Sequence, residues 1–199
     1  MIQNQKVKKP KSIEKPKLII GEGRDEESFF SALIKHLEID EIQFLDYEGK
    51  TNTNKFLKGL HLIPGFSNLR SLLITRDADQ SFHTASQSID DSIRRHKLNE
   101  KKNLTIKTYI FPDNKSPGML EDLYLRTVDS SDMVCIENFF QCIKENTNRE
   151  PTPFSKAKIH AWLSTQTIPN KRLGEAAKAG YFDWNNQIFE ELINFIKSL

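Results

Sequence analysis

Two short acidic motifs in this sequence carry side chains of the kind that acts on phosphate esters. Asp77 and Asp79 are separated by one residue and follow the apolar run 72–74. Glu22 lies between two glycines, directly after the apolar run 18–20. A carboxylate at the end of a buried strand is placed to bind a metal ion or to move a proton. The simpler alternatives are a surface loop for the Asp-x-Asp triplet and a tight turn for Gly-Glu-Gly.

Other acidic residues follow the predicted strands at the same edge of the expected sheet. In open parallel sheets, ligands bind outside the carboxyl ends of the strands, so we expect these side chains to share one site. Like charges at such an edge would repel one another unless a cation lay between them. Hard oxygen ligands favour Mg²⁺ or Mn²⁺ over zinc or copper. The acids at this edge are Glu22, Asp46, Glu48, Asp77, Asp79, Asp113, Glu121 and Asp122.

Glu26 follows Glu22 by four residues, in the first turn of the next predicted helix. At that spacing it can reach the same edge and contribute to a second ion. Two ions would stabilise both the attacking and the leaving oxygen of a phosphodiester displacement. An acidic residue in the first turn of a helix is also favoured by the helix dipole alone. The sequence does not separate these two interpretations.

The elements that must position these residues alternate between strand and helix. The first and third predicted strands are too apolar for a sheet with one solvated face, which favours a parallel sheet covered on both sides. The predicted fold is α/β, with about four parallel strands flanked by helices. The predicted strands are 17–23, 41–47, 69–75 and 104–111, and the helices between them are 25–37, 54–62 and 84–98.

After residue 118 the pattern predicts helices only, at 120–128, 133–145, 156–164, 173–179 and 185–197. We expect these helices to pack on the sheet rather than to form a separate domain. The predicted organisation is a basic flexible arm over residues 1–16, an α/β catalytic core over 17–125 and a helical extension over 126–199.

The amino-terminal segment is strongly basic. Residues 1–17 contain six lysines and one acid, Glu14, together with Pro10 and Pro16. Such a segment favours an unpacked arm, which serves either as a tether for nucleic acid or as a solvated tail.

The composition indicates a folded, soluble chain, with 37% hydrophobic and 28% charged residues. No apolar run is long enough for a membrane span, and no secretory signal follows Met1. Cys135 and Cys142 lie seven residues apart in a predicted helix, and we expect them to be reduced core thiols. These features favour a cytoplasmic protein without a membrane partner.

Taken together, the motifs 18–26 and 72–79 resemble the TOPRIM fold of type IA topoisomerases, primases and overcoming-lysogenization-defect (OLD) nucleases. The resemblance covers about residues 17–125, and the stretch 111–122 is similar to stand-alone, OLD-like bacterial TOPRIM proteins. It implies that Glu22 is a metal ligand or a general acid/base and that Asp77 and Asp79 bind Mg²⁺.

The OLD-like Glu-Gly-x-x-Glu pattern matches residues 22–26, which implies metal binding by Glu26 as well. OLD nucleases also use a lysine after the last strand, a place that Lys156 or Lys158 would fill here. No Gly-x-x-x-x-Gly-Lys-Ser/Thr loop occurs in the sequence. An ATPase would therefore be a separate partner, and the length leaves no room for the tyrosine-bearing domains of a topoisomerase.

The sequence thus predicts a Mg²⁺-dependent nuclease, with a role in phage defence or DNA repair. In this hypothesis Glu22 and Lys156 or Lys158 act in catalysis, and Glu22, Glu26, Asp77, Asp79 and Glu121 hold metal. The alternatives are a metal-binding regulatory module without turnover and a phosphatase-like domain. The choice among DNA, RNA and nucleotide substrates stays open, as does a homo-oligomeric state.

Overall fold

The computed structural model of the protein describes residues 11–169 and 171–199. Its sheet has four parallel strands in the order β2-β1-β3-β4. The α/β fold class predicted from the sequence is confirmed. The strands are β1 (Lys17–Gly21), β2 (Ile42–Asp46), β3 (Ser71–Asp77) and β4 (Thr105–Phe111).

Eight α-helices within the described residues surround and extend this sheet. The helix between each pair of successive strands makes the crossover that parallel strands require. The helices are α1 (Arg24–His36), α2 (Thr53–Gly59), α3 (Phe82–Arg95), α4 (Leu120–Leu125), α5 (Ser130–Thr147), α6 (Phe154–Ser164), α7 (Leu173–Lys178) and α8 (Glu190–Lys197).

The two central strands are buried on both faces. Residues 18–20 of β1 and 72–74 of β3 have no exposed surface. One face packs against α1 and the carboxyl-terminal helices, and the other packs against α2 and α3. Phe182 and Trp184 lie in the first of these cores, as expected for packing residues.

The strand register brings the carboxyl ends to one edge. Gly21 is opposite Asp46, and Asp77 is opposite Phe111. β3 runs two residues further than the sequence predicted, so Asp77 is its last residue rather than part of the following turn. The acidic residue is thereby held by the sheet itself.

Two sequence expectations differ from the structure. Residues 1–10 lie outside the described residues, but residues 11–16 are not an unpacked arm: Ile13 is buried and its N–H donates to the carbonyl of Pro64 at 2.8 Å. The prediction of buried thiols is wrong, since Cys135 and Cys142 are both exposed and free. The reason is that α5 buries only Ile136, so the seven-residue spacing lies on its solvent face.

The helical extension is joined to the core through a close helix–helix contact. A Cβ at Gly174 of α7 would lie 2.5 Å from Ser28 Cβ and 2.7 Å from the carbonyl oxygen of Asp25 in α1. Only glycine fits at this crossing without a shift of one helix.

We therefore expect Gly174→Ala to lower the free energy of unfolding by about 1–3 kcal/mol, the usual cost of overpacking. Gly59→Ala is the matched control, because nothing lies within 4 Å of the added Cβ and alanine favours a helix. Urea unfolding measures both variants. A Gly174→Ala midpoint equal to that of the wild type would show that the two helices separate easily.

No helix among the described residues is long and apolar enough to cross a membrane.

Candidate functional site

The end of β1 is shaped by a glycine. A Cβ at Gly21 would lie 1.9 Å from Glu26 Oε2 and 2.8 Å from Thr75 Oγ1. Because this space is open, the Glu26 side chain turns back under the β1–α1 loop. Its Oε2 accepts from the Glu22 N–H at 3.1 Å and contacts Thr75 Oγ1 at 2.8 Å. Glu26 thus fixes the backbone that carries Glu22.

Glu26 is buried, with 5% of its surface exposed. Burial, followed by the charges of Asp77 and Glu22, raises the pKa of Glu26 well above its ordinary value, although the Thr75 hydrogen bond opposes this. Thr75 Oγ1 also lies 3.0 Å from the carbonyl oxygen of Ile20. The single hydroxyl proton of Thr75 cannot serve both acceptors. A protonated Glu26 can donate to Thr75 while Thr75 donates to Ile20, which satisfies all three groups.

Asp77 ends β3 and connects the sheet to α4. Its Oδ1 accepts from the N–H of Leu120, the first residue of that helix, at 2.9 Å. Burial and the neighbouring charges of Glu22 and Glu121 raise the pKa of Asp77 to about 8. The hydrogen bond from Leu120 opposes this increase without cancelling it. Asp77 is therefore a carboxyl group that titrates close to neutral pH.

Asp79 is held by its backbone in a left-handed conformation, with φ of 51°. Its N–H and carbonyl exchange hydrogen bonds of 2.8 Å with Gly118. Its side chain is left on the open side of the edge, where Oδ2 forms a 2.8 Å ion pair with Lys50 Nζ. The turn after β3 thus presents the second carboxylate of the Asp-x-Asp motif.

Glu22 carries an oxygen that nothing among the described residues satisfies. Its Oε1 is fully buried and has no hydrogen-bond partner there. Burial, followed by the charge of Asp79, raises the pKa of Glu22, while Arg76, Lys50 and Lys156 oppose this. A buried polar atom without a partner costs about 1–3 kcal/mol, so this orientation calls for a ligand.

Glu121 adds a further carboxylate in the first turn of α4. Its side chain is 15% exposed, and Lys156 Nζ lies 3.7 Å from Oε1. Burial raises the pKa of Glu121 and the charge of Lys156 opposes the increase. The structure therefore brings Lys156 to the acidic edge. Lys158 instead pairs with Glu137 at 2.7 Å and lies 4.8 Å from the centre of the Phe154 ring.

The remaining acids at this end of the sheet are engaged in structural contacts. Asp46 forms a 2.8 Å ion pair with Lys11. Asp113 accepts from the N–H of Ser116 at 2.7 Å and pairs with Arg126 at 2.9 Å. Asp122 links two helices. It accepts from the N–H of Met119 and from the Ser155 hydroxyl.

The comparisons with known proteins place this chain in a family. The model of a family described as proteins of unknown function, DUF3226, matches residues 16–199. The chain belongs to the DUF3226 family.

Among solved structures, this DUF3226 member is similar to the C-terminal region of the Burkholderia pseudomallei OLD protein. The likeness covers 94% of this chain and 98% of that chain, with a TM-score of 0.50 and 13% sequence identity. At this identity the comparison shows the fold, and it confirms at that level the OLD-like architecture that the sequence resemblance implied. No protein with a curated description matches the chain.

The acidic edge of this DUF3226 member fits a divalent metal ion in its chemistry. Carboxylate oxygens are the ligands that Mg²⁺ and Mn²⁺ prefer, and the unpartnered Oε1 of Glu22 is aimed into this group. In the described part of the chain, no three acidic, histidine or cysteine side chains already converge as a metal-binding group. Binding an ion would therefore require side-chain rotation, above all the release of Asp79 from Lys50.

Two basic residues at this edge were not identified from the sequence as part of the site. Lys50 belongs to the 3₁₀ turn Lys50–Asn52 after β2 and pairs with Asp79. Arg76, on β3, donates to Ser88 at 3.0 Å and lowers the pKa of Glu22. The position of Lys50 just after a strand end was the available signal, because that is the criterion that selected the acids.

Proposed function

We propose that this DUF3226 member is a Mg²⁺- or Mn²⁺-dependent enzyme that hydrolyses phosphodiester bonds in nucleic acid. The observation that carries the proposal is the fully buried, unpartnered Oε1 of Glu22 beside Asp77, whose pKa is raised to about 8. Both features mark a group of carboxylates that repel one another and that a divalent cation would satisfy. Perturbed carboxyl groups of this kind are characteristic of functional sites.

In this proposal Glu22, Asp77, Asp79 and Glu121 hold the metal. A bound ion supplies an activated water and charge stabilisation at the phosphate. Glu22 is also placed to accept a proton, since its backbone is fixed from below by Glu26. We assign Glu26 to positioning that loop rather than to ligation, because its Oε2 already binds Thr75 and the Glu22 N–H.

The positive charges at the edge have a complementary role. Lys156 is half exposed and lies at the rim beside Glu121, where its ammonium group can approach a phosphate oxygen. Lys50 is also half exposed and would be freed from Asp79 when that carboxylate turns to the ion. Each lysine can thus exchange a carboxylate partner for the substrate phosphate.

A second candidate function is a metal-binding regulatory module without turnover. It is favoured by the ion pair between Lys50 and Asp79, which closes one of the ligands in this structure. A phosphatase-like mechanism is disfavoured, because the residue directly after β1 is Glu22 rather than a reactive aspartate. A role in phage defence or DNA repair, an ATPase partner and a cytoplasmic location remain predictions from the sequence.

The proposal is tested by incubating the protein with single- and double-stranded DNA and RNA in the presence of Mg²⁺ or Mn²⁺. We expect the wild type to cleave at least one of these substrates and the double variant Asp77→Asn/Asp79→Asn to cleave none. Metal binding by a folded wild type that cleaves no substrate would favour the regulatory module instead. Equal cleavage by both proteins would assign the activity to another site or to a contaminant.

A further inference from the structure

A cavity of about 450 Å³ opens beside the acidic edge, between the segment after β2 and helix α2. Its wall includes Tyr47, Glu48, Lys55, Phe56, Leu62 and Ile63. None of these residues belongs to the proposed metal site. The mixture of aromatic, aliphatic and charged groups is typical of a pocket that accepts a flat ligand with a polar rim.

The cavity and the metal site share one piece of backbone. The N–H of Tyr47 donates to the carbonyl of Gly21 at 2.8 Å, and the N–H of Gly49 donates to the carbonyl of Glu22 at 2.7 Å. The next residue, Lys50, reaches Asp79 with its ammonium group. A ligand in the cavity is therefore separated from the acidic edge by the single segment 47–50.

The wall of the cavity offers an aromatic surface with cations beside it. The ring centres of Phe56 and Tyr47 are 6.4 Å apart, and Lys11 Nζ lies 5.3 Å from the centre of the Phe56 ring. Leu62, at the mouth, is 75% exposed. A nucleobase can stack on an aromatic ring, and every base has a suitable face.

The acid on the wall distinguishes a base from a phosphate. Glu48 lies within 3.5 Å of Lys11, and this pairing reduces the positive charge that a phosphate group would need. A base carries no formal charge, and its polar edge can donate to a carboxylate or accept from a lysine. The cavity therefore suits the base of a nucleotide, while the chain's phosphates lie outside it.

We propose that this cavity receives an unpaired base of the nucleic acid strand whose phosphate lies at the acidic edge. A base inside a duplex is stacked on both sides and cannot enter without leaving the helix. The substrate class is therefore single-stranded nucleic acid, or a strand with an unpaired base next to the cleaved bond. This inference rests on the proposed function and adds the form of the substrate to it.

The test measures binding of fluorescein-labelled oligonucleotides by anisotropy in Ca²⁺, with the probe checked for integrity afterwards. The probes are a single strand of DNA, the same sequence in RNA, and a blunt DNA duplex. The variants are Phe56→Leu, which keeps an apolar side chain, and Lys55→Ala, at an exposed position where misfolding is not expected. The matched controls are Phe139→Leu on α5 and Lys58→Ala, one turn from Lys55 and outside the cavity wall.

We expect the wild type to prefer a single strand over the duplex and Phe56→Leu to bind the single strand about tenfold more weakly, the scale of one lost base stack. Lys55→Ala should also weaken binding, whereas both controls should match the wild type. The DNA and RNA probes then show which sugar the site accepts.

A second arm locates the base. Single strands with one abasic position are scanned along the sequence, and one position should weaken wild-type binding but have no effect in Phe56→Leu. Equal affinity for strand and duplex, or an abasic profile unchanged in Phe56→Leu, would overturn the inference. Calorimetric Mn²⁺ binding by the same variants separates this failure from failure of the proposed function, because the cavity variants leave every proposed ligand intact.

Discussion

The variant Asp77→Asn is expected to be more stable than the wild type in the absence of metal and to be inactive in its presence. Asparagine keeps the oxygen that accepts from Leu120, but it carries no charge. Burial and the acidic neighbours, Glu22 first among them, raise the pKa of Asp77 from 3.8 to about 8. The raised pKa means that the folded state binds the proton more tightly than the unfolded state.

The sign of the pH effect follows from that difference. The contribution of Asp77 to stability is fully present below the ordinary pKa of 3.8 and is lost as the pH rises towards about 8. Asparagine does not titrate, so the advantage of the variant should grow across this range. At pH 8 we expect Asp77→Asn to increase the free energy of unfolding by about 1–3 kcal/mol. Urea unfolding in EDTA at pH 5 and pH 8 measures the change.

Asp113→Asn is the matched control for this experiment. Burial raises the pKa of Asp113, but hydrogen bonds from Ser116 and the ion pair with Arg126 outweigh it and hold the pKa below its ordinary value. The same substitution should therefore reduce stability near neutral pH and leave cleavage unchanged. A Asp77→Asn protein that is less stable than the wild type at pH 8 would contradict the picture of a crowded acidic edge.

The activity of Asp77→Asn should fall by more than the about 10–100-fold loss that is typical of groups that only support metal ligands. The physical reason is that an amide oxygen is a neutral and weaker donor to a hard cation than a carboxylate. A stability gain together with an activity loss would identify Asp77 as a residue retained for function rather than for folding. Retention of full activity would remove Asp77 from the proposed ligands.

Lys156→Ala should reduce cleavage by about 10- to 100-fold, somewhat less than the loss of a fully enclosed transition-state donor. Lys156 approaches Glu121 at 3.7 Å and is half exposed, so its charge is partly screened. The effect should appear in the maximal rate rather than in metal affinity. Initial rates at saturating Mg²⁺ give this quantity, and Lys156→Arg should recover part of it because the charge is kept.

Lys158→Ala provides the comparison, since Lys158 follows two residues later but pairs with Glu137 away from the acidic edge. We expect its cleavage rate to match that of the wild type. Equal losses in the two alanine variants would assign both effects to disturbed packing of α6. A normal rate for Lys156→Ala would leave Glu121 as that lysine's only role at the site.

Much of the scaffold could be predicted from the sequence, because its determinants are local. The runs 18–20 and 72–74 are apolar on both faces, which indicates central parallel strands. Alternation with amphipathic segments then predicts the crossovers. The single helix predicted over 54–62 is α2 flanked by 3₁₀ turns, and the helix predicted from 185 begins at Glu190. Side-chain capping by Asn186 favours a 3₁₀ turn there, a local detail that helical periodicity does not reveal.

The site was only partly predictable, because a strand end places a residue without fixing its partners. Asp46 and Asp113 follow strands as Asp77 does, yet they are occupied by Lys11 and Arg126 from distant or following segments. The inward turn of Glu26 depends on the missing Cβ of Gly21, a contact across the loop that spacing alone does not specify. The exposure of Cys135 and Cys142 likewise depends on which face of α5 finds a neighbour.

The most direct test of the account is a calorimetric titration of the metal-free protein with Mg²⁺ and Mn²⁺ at pH 7, in two buffers of different ionisation enthalpy. The account predicts saturable binding that releases protons, since Asp77 holds a proton at this pH and must lose it to the ion. Affinity should rise with pH and disappear in Asp77→Asn/Asp79→Asn. Absence of binding, or equal binding by that double variant, would contradict a metal site at the acidic edge.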